Sequence, residues 1–278
     1  MRLDPRGIVM SQSFEKSQVR TAWHGNVLDK IGCSPVDVMS GIRKLMPRKV
    51  KASLSKILSR HSLIVSQAGQ DLWAYGEAFN EKKFGYFLDI GAHDGISMSN
   101  TYLMESKYFW RGICIEADPT TFEKLKKNRS TVCVNVCLDK EEGEVSFVSN
   151  SYRGGIVDQD VDNKEAGTKW TITLRTKPLI SVLKEHCAPK TIDYMSIDVE
   201  GAEERILSRF DFNEYRFLCI TIERPTDLLR DLLKSHGYIL LKDIPGLDCF
   251  YIHQTFLADY QKNCRDFYQN KYLAIRWK

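Results

Sequence analysis

The stretch Tyr86-Phe-Leu-Asp-Ile-Gly-Ala-His-Asp-Gly95 constrains the fold more than any other, because a short apolar run ends in a carboxylate and then in two glycines four residues apart. This is the pattern of a buried strand feeding a tight turn, with Tyr86, Phe87, Leu88 and Ile90 carrying the strand signal. The spacing predicts a helix from about Ser97 to Tyr108, with Ser97 or Ser99 as its N-cap. A strand, a glycine turn and a helix N-terminus in succession make a nucleotide-type pocket, since backbone N–H groups and the helix dipole then point into the space above the turn.

Arg111–Pro119 reads as a second buried strand, ending in Glu116, 25 positions beyond Gly91. A parallel strand reached through a helix ends beside the first, so its terminal acid lies within reach of a ribose bound over the turn. To this point a dinucleotide and S-adenosylmethionine fit equally. The glycine spacing separates them. A dinucleotide fold uses G-x-G-x-x-G, whereas here His93 stands at the middle position and there is no third glycine. Asp89, two residues before Gly91, suits an ammonium and sulfonium ligand better than a diphosphate.

Four segments, Ser66–Asp71, Phe87–Gly95, Gly112–Pro119 and Ile192–Glu203, together resemble those of FkbM-type S-adenosylmethionine-dependent methyltransferases. The resemblance covers roughly residues 62–256. It implies a class I methyltransferase fold, a Rossmann-like, mostly parallel α/β sheet, and methyl transfer to a hydroxyl of a sugar, glycan or natural product. Under it, Asp89, Gly91, Ala92, His93, Gly95 and Glu116 are expected to bind the cofactor, and Leu138 and Asp139 to border the adenine. Gln67 and Gln70 are expected to project over the pocket, with Arg153 and Glu203 near the acceptor. His93 alters the usual glycine-rich turn, and His is among the residues that tolerate left-handed backbone.

Residues 192–199 form the next predicted strand, which ends in Asp198-Val-Glu200-Gly-Ala-Glu203. Persisting strand alternation would place Asp198 and Glu200 on one side, and Glu203 opens the following helix, where its charge suits the N-terminal dipole. A carboxylate in reach of a hydroxyl can accept its proton, and clustered acids raise one another's pKa. The strand 216–224 ends in Glu223, the third member expected in this rim, with Arg224 as its alternative ion-pair partner. The same acids could hold Mg²⁺ or Ca²⁺ through hard oxygens, although no metal is assigned.

Thr131–Leu138 reads as a third strand, and 144–150 and 170–176 as a hairpin-like insertion around a polar loop. The helix Thr226–His236 is expected to turn Leu228, Leu229, Leu232 and Leu233 inward, with Gly237 stopping it. Two strands about Pro245-Gly246 form a C-terminal antiparallel hairpin, which class I methyltransferases also show. The tail from Ala258 is expected to cover a sheet edge or a second subunit of a homodimer.

Charge divides the chain. Residues 1–60 carry a net +8 and the remainder −4, so a basic, partly helical extension precedes a mildly acidic methyltransferase domain from residue 61. An amphipathic run with a charged back is the ordinary pattern of a packed surface helix, though membrane and polyanion binding use it too. No aromatic residues interleave the basic run, so no nucleic-acid partner is expected. No stretch approaches the ~18 apolar residues of a membrane helix and no signal-peptide core is visible, so the expected location is the cytoplasm. Eight scattered cysteines without a C-x-x-C pair read as reduced thiols. Two alternatives stay open: a non-catalytic binding module that lost cofactor affinity through His93, and a metal-dependent enzyme using the acidic rim.

Overall fold

The computed structural model describes residues 65–149, 154–164 and 171–276. Arg153 and the basic stretch 1–60 lie outside the described residues.

Two consecutive strands alternate apolar residues to both faces, so each must be covered on both sides. β1 (Tyr86–Ile90) and β2 (Arg111–Glu116) pair in parallel, and β3 (Val132–Asn135) extends the sheet beyond β2. Between them run α1 (Tyr102–Tyr108) and α2 (Pro119–Asn128). Asp118 caps α2 by accepting from the Thr120 and Thr121 N–H groups, and Pro119 occupies the first turn, where a missing N–H costs nothing.

The predicted third strand divides at Val136. Its second part, β4 (Cys137–Leu138), leaves for a small sheet with β5 (Gly143–Val148), β6 (Gly155–Ile156) and β7 (Thr171–Lys177). β5 and β7 are antiparallel over six registered pairs, which is the hairpin expected of the insertion.

The main chain returns through α3 (Leu179–Glu185) to β8 (Thr191–Ile197), then through α4 (Glu203–Leu207) to β9 (Arg216–Glu223) and through α5 (Asp227–Ser235) to a final hairpin. That hairpin is β10 (Tyr238–Asp243) and β11 (Asp248–His253). The seven-stranded sheet runs β10-β11-β9-β8-β1-β2-β3, with β11 alone running opposite to the other six strands. The fold is therefore the Rossmann-like class I methyltransferase arrangement, with its C-terminal antiparallel hairpin.

Leu88, Ile90, Ile113, Ile115, Met195 and Ile197 fill one face of the sheet with Leu229 and Leu233 of α5. Phe87, Cys114, Tyr194 and Phe250 fill the other with Trp73 and Tyr75. α6 (Leu257–Arg276) closes this second face, where a Cβ at Gly76 would meet the Phe267 ring at 2.7 Å. The tail thus packs on the π-helical turn Leu72–Ala78, with Tyr268 donating to Glu77. Among the described residues no helix is long and apolar enough to cross a membrane. Seven described cysteines are free thiols, five of them buried.

Two expectations change. α1 starts at Tyr102 rather than Ser97, because Ser97 is drawn into a turn by Asp94, while Ser99 accepts from the Thr101 and Tyr102 N–H groups. Leu228 is 70% exposed: Leu229 and Leu233 are the fully buried pair on α5.

Candidate active site

At the carboxyl ends of β1, β2 and β8 a cavity opens, lined by Asp89, Gly91–His93, Glu116, Leu138, Asp198 and Glu200 among others. Phe147 and Ile156 of the small sheet line it too. It sits where ligands bind open α/β sheets.

The Gly91 turn is set by its neighbours. Gly91 has φ +80°, and a Cβ there would fall 1.9 Å from the Asp198 carbonyl oxygen, so the turn and the end of β8 approach as closely as backbone allows. Gly91→Ala is expected to lower the melting temperature by at least about 2 °C, since the left-handed conformation alone costs a residue with Cβ about 1–2 kcal/mol. A thermal melt checks this. His93 adopts φ +50°, the left-handed conformation its residue type tolerates.

The turn does not form an anion cradle. The Gly91 and Ala92 N–H groups both donate to the Ile115 carbonyl at 3.0 Å, and the His93 N–H donates to Glu116 Oε2 at 2.9 Å. α1 begins only at Tyr102, so its N-terminus does not open directly from the turn, whose first three N–H groups are all engaged. This corrects the expectation drawn from the strand–turn–helix pattern, and it disfavours a pyrophosphate.

Glu116 is 9% exposed on the cavity wall, its Oε1 accepting from the Asp118 N–H at 2.8 Å. Each oxygen thus accepts one backbone hydrogen bond and keeps further acceptor capacity, which suits a ligand presenting two hydroxyl donors. Burial pushes its pKa up to about 7, opposed by the Asp118 and His93 N–H groups. Asp89 lies 4% exposed on the floor and accepts from Thr101 Oγ1 at 2.6 Å. Burial raises its pKa while Arg129, 3.8 Å away, opposes the rise. An acceptor pair on the wall, a buried carboxylate on the floor and no anion cradle fit a ribose bearing a cationic tail. These residues suit S-adenosylmethionine.

The acidic rim is broader than the sequence pattern suggests. Asp248 of β11 pairs with Glu223 of β9, and Ile222 pairs with Ile197, directly before Asp198. Asp198 directly after β8, Glu223 at the end of β9 and Asp248 at the start of the antiparallel β11 therefore lie side by side at one edge of the sheet. Glu203 joins them: it is 3% exposed, its Oε1 accepts from the Val199 N–H at 2.9 Å, and burial pushes its pKa up to about 7. One oxygen each of Asp198, Glu203 and Glu223 lies within 4.8 Å of the others, a hard donor set that a divalent cation could use. Crowding by protein, then the Glu223 charge, raises the Asp198 pKa far above the usual carboxylate range. The counter-charge is Arg224, whose Nη2 contacts Glu223 at 2.9 Å, Asp162 at 2.7 Å and Glu200 at 3.3 Å.

Several predicted site residues have other partners. β8 ends at Ile197 and Glu200 sits at φ +55°, so strand alternation does not align it with Asp198. Asp139 is off the cavity wall because Arg205 holds both its oxygens, at 2.7 and 3.1 Å. Gln70 donates to Asp248 at 2.9 Å and accepts from the Ala68 N–H, which leaves its amide turned away from the cavity, while Gln67 is exposed away from the lining. Gly95 is off the wall as well: a Cβ there would meet Arg129 Cγ at 2.6 Å and Leu125 Cδ1 at 2.7 Å. Asp248 and Arg129 carried no sequence signal, since their partners are remote in the chain.

Residues 89–240 match the FkbM methyltransferase domain. No curated protein matches the chain significantly in sequence. Among solved structures, a methyltransferase FkbM from Methylobacillus flagellatus KT is 17% identical, covering 68% of this chain and 48% of its own, with a TM-score of 0.44. The chain thus spans about half the length of that protein. The METTL16 methyltransferase domain is 14% identical, over 66% of this chain and 65% of its own, with a TM-score of 0.40. The human METTL16 catalytic domain in complex with the MAT2A 3′UTR hairpin 6 is 11% identical, over 69% and 72%, with a TM-score of 0.36. None of these likenesses bears on the acceptor. With the domain match spanning more than half of its 278 residues, the chain belongs to the FkbM methyltransferase family.

Proposed function

We propose that the chain is an S-adenosylmethionine-dependent methyltransferase that acts on a hydroxyl of a sugar, glycan or natural-product small molecule. The observation that carries this reading is one cavity lined by a diol acceptor, Glu116, and by Asp198, with Glu223 and Asp248 on the strands beside Asp198. S-adenosylmethionine supplies an activated methyl group when bound. Glu116 holds the ribose hydroxyls, Asp89 faces the cationic tail, and Leu138 borders the base. Asp198, with Glu223 beside it, receives the proton of the acceptor hydroxyl in its ionised form, which its pKa of about 9 makes the major form only at alkaline pH, and Glu200 with Arg224 orients the acceptor at the rim. Orientation and exclusion of water are the main demands of such a transfer, and the small sheet over the cavity contributes to both.

The close oxygens of Asp198, Glu203 and Glu223 favour a second reading, in which a divalent cation on this rim lowers the acceptor pKa. Titration calorimetry with S-adenosylhomocysteine, with NAD⁺ as control, tests the cofactor. Micromolar binding of the first and none of the second is expected, and no binding up to millimolar would sink the reading. An acceptor screen with and without EDTA then follows, with an RNA hairpin as one arm. Turnover unaffected by EDTA supports the carboxylate reading, and loss restored by Mg²⁺ supports the metal.

A further inference from the structure

Arg129 follows the last turn of α2, a position where a basic side chain ordinarily points to water. Here the residue is only 6% exposed. A guanidinium taken out of water is costly unless its donors are met, so its partners tell what it is for. Nε pairs with Glu105 of α1. Nη1 donates to the Gly95 carbonyl at 3.2 Å and to Ser99 Oγ at 3.4 Å, and Nη2 donates to Thr101 Oγ1 at 3.0 Å. The guanidinium also lies 5.2 Å from the centre of the Phe87 ring and 3.8 Å from Asp89.

Apart from Glu105, these partners belong to β1 or to the loop that continues from the Gly91 turn. Asp89 and Ser99 themselves line the cavity, whereas Arg129 does not. Gly95 explains itself in the same way: the space of its missing side chain is filled by the Arg129 stem. A tie between α1 and α2 would need Glu105 alone. The additional donors converge on the back of the cavity wall.

The geometry points to Arg129 as a positioning residue for cofactor binding, acting through the 95–101 loop and through Asp89. The planar fork is what allows one side chain to hold a carbonyl and two hydroxyls at once, and an ammonium cannot reproduce it. Thr101 is the relay, since its hydroxyl accepts from Arg129 and donates to Asp89. The other titratable groups facing Asp89 are Glu105, Cys114 and Tyr194, none of them a cation, so Arg129 alone supplies positive charge there among the described residues. Support of this kind behind a binding wall keeps its groups within the fraction of an ångström that binding requires.

This inference rests on the S-adenosylmethionine reading. Its test is calorimetric titration of the full chain with S-adenosylhomocysteine, comparing wild type with Arg129→Lys, Arg129→Met and Thr101→Val, each first melted to establish its folded fraction. Affinity per folded molecule is expected to fall about tenfold in Arg129→Lys, further in Arg129→Met, and severalfold in Thr101→Val. Thr101→Val keeps shape and severs only the relay, so it decides the matter should the Met variant not fold. Lower melting temperatures with unchanged affinity in the Lys and Val variants would overturn the role and leave a purely structural arginine. Wild type that fails to bind overturns the cofactor reading itself, and the Arg129 role with it.

Discussion

Glu116→Gln is expected to weaken S-adenosylhomocysteine binding by about ten- to a hundredfold at pH 8 and to remove the part of the pH dependence that this carboxyl contributes. Two hydroxyl donors can each find an acceptor oxygen on the carboxylate, while the His93 and Asp118 N–H groups hold its plane fixed. The amide retains one acceptor and turns a donor toward a ligand that needs none. In the wild type, burial has moved the carboxyl up to about 7, so near neutrality part of the free protein carries a proton at this site. The diol prefers the ionised form. Affinity should therefore rise between pH 6 and pH 8, with a proton release on binding that is smaller in the Gln variant. Titrations in two buffers of different ionisation enthalpy read that release directly.

The same shift acts in the opposite sense on the stability of the ligand-free fold. Between about 4.5, the ordinary glutamate value, and about 7, the folded state binds more protons at this site than the unfolded one. Its contribution is thus fully present below the lower value and lost as pH rises through the upper one. Binding gains where free stability declines, so a melt with ligand and one without should diverge as pH rises through neutrality.

Features carried by consecutive residues are legible in the sequence. The strand ending at Gly91 and the one ending at Glu116 each announce themselves by an apolar run and a terminal acid, and their parallel pairing follows from the helical spacing between them. The C-terminal hairpin is equally plain from Pro245-Gly246. What a sequence does not display is the direction in which a polar side chain points once distant partners arrive. Gln70 finds Asp248, 178 positions on, and Asp139 finds Arg205, 66 positions on. Local spacing assigns both to the ligand because it cannot reveal a competing partner. Gly95 reads as a ligand-contacting glycine, whereas in the fold it makes room for an arginine. Burial explains the reverse omission: Arg129 and Asp248 look like ordinary surface charges until the fold closes over them.

Asp198→Asn should separate activity from stability in opposite directions. On the proposed reading it removes the group that receives the acceptor proton, and loss of such a group typically costs about a hundredfold to ten-thousandfold in kcat. Yet the wild-type carboxyl is crowded by protein and faces Glu223, both of which raise its pKa far above the usual range. An acid held high in the folded state stabilises most below its unfolded value, near about 4, and that stability is lost as pH rises toward the folded value. The Asn variant has no such slope. It should therefore melt close to wild type at pH 5 and above it at pH 8, by a few degrees only, because Asp198 opens onto the cavity and solvent screens part of the repulsion. A cation bound between these acids would reverse the stability result. It would hold Asp198 ionised, lend the wild type added stability, and make the Asn variant the less stable protein in Mg²⁺. Melting both proteins at pH 8 with EDTA and with Mg²⁺ distinguishes repelling carboxylates from metal ligands, and it does so whatever the acceptor is.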